Sequence, residues 1–186
     1  MSGGVRAAFD ALVAAGELKP DPAQQAAADA LDRLRAPRDG FLARFRSAES
    51  GPCGTYLWGG VGRGKTMLMD LAFEHLPIEP KRRTHFHEFM IDVHARLRAV
   101  RASEAGDPIE PVAGAIAAEA RLLCFDEMQV TNPADAMILS RLFTRLLEEG
   151  VRVVTTSNRP PGDLYKDGLN RELFLPFIAL IEQRMM

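Results

Sequence analysis

The sequence predicts an α/β fold, a parallel sheet with helices on both faces. Three observations predict it. A glycine-rich run, Gly59-Gly60-Val61-Gly62-Arg63-Gly64-Lys65-Thr66, fits G-x-x-x-x-G-K-[ST] at every fixed position. Strand-like Thr55-Tyr56-Leu57-Trp58 precedes it and helix-like Met67-Leu68-Met69-Asp70-Leu71 follows, the context this phosphate-binding pattern requires. A second run, Leu122-Leu123-Cys124-Phe125, is apolar throughout, like a strand covered on both faces, and ends on the adjacent acids Asp126 and Glu127. Strand and helix character then alternate along the chain, the pattern of right-handed parallel crossovers.

Each element follows from local chemistry. Val5, Phe9, Leu12 and Val13 recur at helical spacing, and Gly16 is placed to end that helix. At Pro20-Asp21-Pro22 the chain restarts: Asp21 reads as N-cap, Pro22 as the first helical residue and Gln24 as the reciprocal cap. That helix is predicted to run toward Arg35 and end before Pro37. Gly51-Pro52-Cys53-Gly54 reads as the loop before strand one and the phosphate loop. After Pro77 and Pro80, Lys81-Arg82-Arg83 reads as a solvated edge and Thr84-His85-Phe86-His87 as a short second strand. Met90, Val93, Leu97 and Val100 line one face of the next helix. A polar connection over 103–108 leads to a helix of small residues ending near Ala120, and then to the third strand. Asn132-Pro133 opens a helix with Ile138, Leu142, Leu146 and Leu147 on one face and Gly150 at its end; residues 151–157 form strand four. The division expected is a helical N-terminal segment over 1–50 and a nucleotide-binding core over 51–186.

Bulk properties narrow the function. Among 186 residues, 47% are hydrophobic and 26% charged, which excludes a disordered chain. A formal net charge of -2 gives no field toward DNA, RNA or anionic lipid, so no nucleic-acid partner is expected. Cys53 and Cys124 lack metal-ligand spacing and read as reduced thiols of a cytoplasmic protein. No apolar run reaches the length of a membrane span. The N-terminus has an early acid, Asp10, and no apolar signal core, so a secretory leader is not expected; Asp10 and Glu17 also count against a transit peptide.

The chemistry points to a nucleoside triphosphate. Glycines let successive backbone N–H groups turn inward around phosphates, and the helix that follows adds its positive end. Gly59, Gly60, Val61, Gly62, Arg63 and Gly64 supply that cradle; Lys65 reaches the β- and γ-phosphates and the Thr66 hydroxyl ligates magnesium. Asp126, at the carboxyl end of a buried strand, is placed to hold magnesium through a water, and Glu127 to polarise the attacking water. Strand four ends Thr155-Thr156-Ser157-Asn158-Arg159; Asn158 is read as a γ-phosphate sensor, with a plain turn before Pro160-Pro161 as the alternative. No Asn-Lys-x-Asp signature for guanine is present, so the cofactors expected are ATP and magnesium. Gln24 either reads the adenine edge or serves only as a helix cap. Arg171 is a candidate for acting on a neighbouring subunit's γ-phosphate, and Arg159 is its rival. His85 and His87, read on one face of a strand, with His94 a turn downstream, lack further ligands for zinc and are taken as partly buried, hydrogen-bonded histidines.

These residues resemble the AAA+ ATPases of the ZapE type, bacterial cell-division proteins related to a mitochondrial ATPase group. The resemblance spans residues 21–181. It is carried by the phosphate loop with its flanks, His85-Phe86-His87-Glu88-Phe89-Met90, Leu123-Cys124-Phe125-Asp126-Glu127, Asp135-Ala136-Met137-Ile138-Leu139, Thr156-Ser157-Asn158-Arg159-Pro160, Leu164-Tyr165 and Gly168-Leu169-Asn170-Arg171. It implies the AAA+ sheet order, with the sensor strand between the phosphate-loop and acid-pair strands. It also implies homo-oligomers with ATP at subunit interfaces, and Arg171 as the finger acting in trans. For the bacterial branch it implies the tubulin-like division protein FtsZ as partner at the septum, with peripheral association at the inner membrane. Met128 and Asn132-Pro133 stand where the family is expected to carry Phe and Asp-Ile. Family members continue into a fifth strand and a helical lid, so the chain reads as an AAA+ core missing its last strand and lid, with ATPase turnover weak or absent. The alternative function is a non-hydrolysing ATP-binding adaptor; a small-molecule kinase would need an acceptor pocket and lid arginines that the sequence does not display.

Overall fold

Four parallel strands frame the molecule in the order β1-β4-β3-β2: β1 Gly54–Trp58, β2 Lys81–His85, β3 Leu122–Asp126 and β4 Arg152–Ser157. The structure is a computed structural model that describes residues 3–34, 52–103 and 106–186. The expected end of the second helix at Arg35 to Pro37, Gly51, and part of the 103–108 connection lie outside those residues. Seven helices complete the described fold: α1 Val5–Ala14, α2 Pro22–Leu31, α3 Lys65–His75, α4 Phe86–Ser103, α5 Ile109–Glu119, α6 Pro133–Glu148 and α7 Leu175–Arg184.

β3 and β4 are central and wholly buried; β3 accordingly reads as an apolar run, whereas β4 also buries the polar Arg152, Thr155, Thr156 and Ser157. Successive side chains point to opposite faces, and two cores result. Leu57, Leu122, Cys124 and Val154 join α1, α2 and α3 on one face; Tyr56, Leu123, Phe125 and Val153 join α4 to α7 on the other. Phe125 stands in a chain of aromatic contacts on that second face, 4.6 Å from the Phe89 ring and 5.9 Å from Phe143. Burial at Cys124 pushes its thiol up to about 12, and both cysteines are free and buried, in keeping with the reduced thiols read from the sequence.

The helix starts follow their caps. Asp21 accepts from the Ala23 and Gln24 amides before Pro22, and Asn132 accepts from Ala134 before Pro133. α1 has no cap on its own chain neighbour. Instead the Asp32 carboxylate, just past α2, accepts from the Val5 amide at 2.7 Å and the Arg6 amide at 3.0 Å.

Two expectations are corrected. Lys81-Arg82-Arg83 is β2 itself and not an edge before it: alternation leaves their charged ends at ion pairs while the backbone pairs with β3. The strand therefore ends at His85 and α4 begins at Phe86, so His85 and His87 do not share a strand face; both are exposed. At the far edge, α7 returns the chain beside β1, where Gly54 and Met185 form a parallel bridge. The Tyr56 amide donates to Met186 O at 2.7 Å.

Candidate functional site

The carboxyl ends of all four strands fall on one edge, because Trp58 pairs with Ser157 and His85 with Asp126 in parallel register. Such an edge is where ligands bind in open α/β sheets. The glycine-rich loop crosses it from Trp58 to the start of α3. Gly62 and Gly64 have φ of 76° and 77°, the left-handed region that glycine takes without strain. A Cβ added at Gly59, Gly60 or Gly62 would meet nothing within 4 Å, so the loop opens onto free space. α3 begins with Gly64 as its N-cap and no side-chain cap, leaving its first amides for an anion.

Lys65 lies across the mouth of this loop. Its ammonium donates to Gly59 O and Gly60 O, each at 2.8 Å, and to Asn158 Oδ1 at 3.0 Å. Three donors are thus engaged at once, and the side chain is held across the loop mouth rather than free in solvent. Asn158 is brought to this cation because β4 lies next to β1.

The acid pair is built differently. Asp126 is buried and its Oδ2 accepts from Arg83 Nε at 3.1 Å and Nη2 at 2.9 Å. Arg83 also pairs with Asp70 on α3. Its charged form is favoured overall: partial burial works against it, and the Asp126 and Asp70 carboxylates outweigh that. Glu127 is exposed with φ 56°, a costly conformation for a non-glycine residue that surrounding bonds must impose. They do so. The Glu127 amide donates to Thr156 Oγ1 at 3.0 Å, the Met128 amide to Thr156 O at 2.7 Å, and Ser157 Oγ to Met128 O at 2.9 Å. Glu127 and Asp126 line a cleft of about 360 Å³ with His85, Phe86, His87, Gln129 and Thr131.

Magnesium fits these residues. The Thr66 hydroxyl is exposed and without a hydrogen-bond partner among the described residues, and Asp126 Oδ1 likewise accepts none, so two hard oxygens remain for a cation. Among the described residues no group of three or more His, Cys, Asp or Glu is placed to hold a metal unaided. His94 is instead tied to Asp135, Nε2 to Oδ1 at 2.6 Å, linking α4 to α6.

Gln24 does not close a reciprocal cap. Its Nε2 donates to Arg63 O at 3.1 Å, so α2 braces the phosphate loop. Arg171 donates to Gly162 O at 2.7 Å and makes no hydrogen bond to the phosphate loop or acid pair of its own chain among the described residues. The rival Arg159 is exposed, and its carbonyl accepts from the Tyr56 hydroxyl at 2.9 Å. Burial pushes that phenol up to about 12, so it acts as a fixed donor. Arg83 and Thr156 escape the sequence reading: the first looks like a solvated charge, and the second carries no motif of its own.

Comparison with known proteins agrees with this geometry. A family model described as AFG1-like ATPase matches residues 5–186. The chain is 50% identical over 130 residues to the cell division protein ZapE of Escherichia coli (strain K12), covering 70% of this chain and 34% of the relative. It is 50% identical over 141 residues to lactation elevated protein 1 homolog B of Danio rerio, covering 71% and 28%. The chain thus spans about a third of the length of these curated relatives. Domain III of the Thermotoga maritima replication initiation protein DnaA shares the fold with a TM-score of 0.59 at 18% identity, over 86% of this chain and 61% of that one.

Proposed function

We propose that this chain, which belongs to the AFG1-like ATPase family, binds ATP with magnesium at the carboxyl edge of its sheet and hydrolyses it to ADP and phosphate. The observation that carries the reading is the Lys65 ammonium, held between loop carbonyls and Asn158 beside the uncapped start of α3. A triphosphate entering there receives backbone amides, the helix end and one ammonium. Asn158, released from Lys65, faces the γ-phosphate. The Thr66 hydroxyl and Asp126 Oδ1 would hold magnesium, which when bound offsets charge on the phosphate oxygens. Glu127 orients a water; its oxygen bonds to the γ-phosphorus, the bond to the β–γ bridging oxygen breaks, and the water's proton leaves toward the Glu127 carboxylate. Arg171, which makes no hydrogen bond to its own phosphate loop or acid pair among the described residues, acts on the neighbouring copy in a homo-oligomer.

A relative named as a cell division protein supports a role in division; the finer proposal, that the ATPase works on the division protein FtsZ with peripheral attachment to the inner membrane, rests on the family resemblance alone. No helix among the described residues is long and apolar enough to cross a membrane. Binding of a fluorescent ATP analogue and single-turnover hydrolysis test the central proposal. Lys65→Ala is expected to lose binding; Glu127→Gln is expected to keep binding and lose hydrolysis. Wild type that binds the analogue but shows no hydrolysis would identify an adaptor that binds ATP without splitting it. Co-sedimentation with FtsZ polymers in the presence of ATP tests the partner.

A further inference from the structure

Arg83 stands in the sheet where no part of the nucleotide reading uses it. Its register partner in β3 is Cys124, and residues two apart on a strand share a face, so Arg83, Cys124 and Asp126 all point toward α3. On α3, Thr66 and Asp70 are four residues apart and so lie on one side of the helix. Arg83 closes this row. Nε and Nη2 hold Asp126 Oδ2 at 3.1 and 2.9 Å, while Nη1 pairs with Asp70 Oδ1. One guanidinium therefore sits between two carboxylates, one of them the buried acid beside the phosphate loop, as a divalent cation would.

We propose that Arg83 is a built-in counter-cation: a positioning residue that fixes Asp126 through Oδ2 and, when no nucleotide is bound, bars free divalent metal, so that magnesium enters only with the nucleotide. This rests on the ATP–magnesium reading for its second half alone. The physical case is charge. Without Arg83, buried Asp126 and the exposed Asp70 beside it would draw in a cation from solution, most strongly at the buried oxygens of Asp126. With Arg83 in place the Asp70–Arg83–Asp126 group carries one net negative charge rather than two, and Oδ2 is already occupied. Oδ1 alone is a weak ligand until phosphate oxygens supply the rest of the coordination shell.

Manganese, a paramagnetic stand-in for magnesium, provides the test, with free and bound ion distinguished by its resonance signal. Without nucleotide, the wild-type chain is expected to bind no manganese at sub-millimolar concentrations, and to take it up when ADP or ATP is added. Arg83→Met is expected to bind manganese without nucleotide at least about tenfold more tightly than wild type, given the loss of an adjacent unit charge. Adding Asp70→Asn to that variant is expected to abolish the gain. Thermal melting checks that each variant folds, and Arg83→Gln serves if Arg83→Met does not. Tight manganese binding by nucleotide-free wild type overturns the proposal, as does equal binding by wild type and a folded Arg83→Met. If the variant gains the ion while nucleotide adds nothing to wild type, the counter-cation stands and the ATPase reading falls.

Discussion

At the scale of single residues, the position of the glycine-rich loop between β1 and α3 and of the acid pair at the end of β3 is legible in the sequence, because those patterns fix residue types at fixed spacing. Gly62 and Gly64 need positive φ, and Lys65 must follow within one turn. What the sequence concealed is how those groups are held. Thr156 is an example: one small hydroxyl, indistinguishable in a strand from a β-former, accepts the Glu127 amide and so maintains a left-handed turn that glutamate would not choose. Thr156→Val keeps the shape and removes the acceptor. We expect a loss of about 1–2 kcal/mol in stability from the unpaired amide. We also expect hydrolysis to fall by about tenfold or more with analogue affinity unchanged, as for a water-orienting group displaced from its working position. Denaturant unfolding and single-turnover assays read the two effects; a parallel drop in affinity would show that Thr156 shapes the loop and not the acid.

At the scale of elements, caps and apolar periodicity located six of the seven described helices and three of the four strands closely, since those signals are local. β2 is displaced because a run of three basic residues looks solvated until its partners are known; Lys81 pairs with nearby Glu79, but the partners of Arg82 and Arg83, namely Asp92, Glu119, Asp70 and Asp126, lie ten or more residues away. The same blindness applies to α1, whose cap comes from 26 and 27 residues away. Asp32→Ala removes the acceptor for two helix-start amides and is expected to cost about 1–2 kcal/mol. Because α1 packs against α3 in one core, the loss should appear in the global melting temperature. A melting curve identical to wild type, with α1 amides alone exchanging faster, would mean that α1 frays independently.

For the whole molecule, the parallel order with β4 between β1 and β3 was readable from the alternation of elements together with the family resemblance, whereas alternation alone leaves the strand order open. Acid tolerance is a property at this scale, set by ion pairs joining separate elements. Asp92 is held below the usual carboxylate range: partial burial works against its charge, but the Arg96 and Arg82 guanidiniums outweigh it. Glu119 is lowered chiefly by Arg96. Both groups are more acidic folded than unfolded, so their contribution is complete above the unfolded values of about 4 and is lost as pH falls through the folded ones. Wild type is therefore expected to lose melting temperature between about pH 5 and pH 2, and Arg96→Met to lose less across that interval. The difference should be modest, since half-exposed pairs are worth about 0–1 kcal/mol each. An Arg96→Met curve parallel to wild type would exclude these pairs as the cause.

The pleat of β3 also protects the chemistry against misfolding. Leu122 and Cys124 answer to one core, Leu123 and Phe125 to the other, and the ring of Phe125 finds its aromatic neighbours on one side alone. A slip by a single residue would force that ring among the packed side chains around α3 and, in the same movement, swing Asp126 away from them. Faulty pairing is thus rejected by bulk before charge is ever consulted, and the acid inherits its address from the phenylalanine beside it.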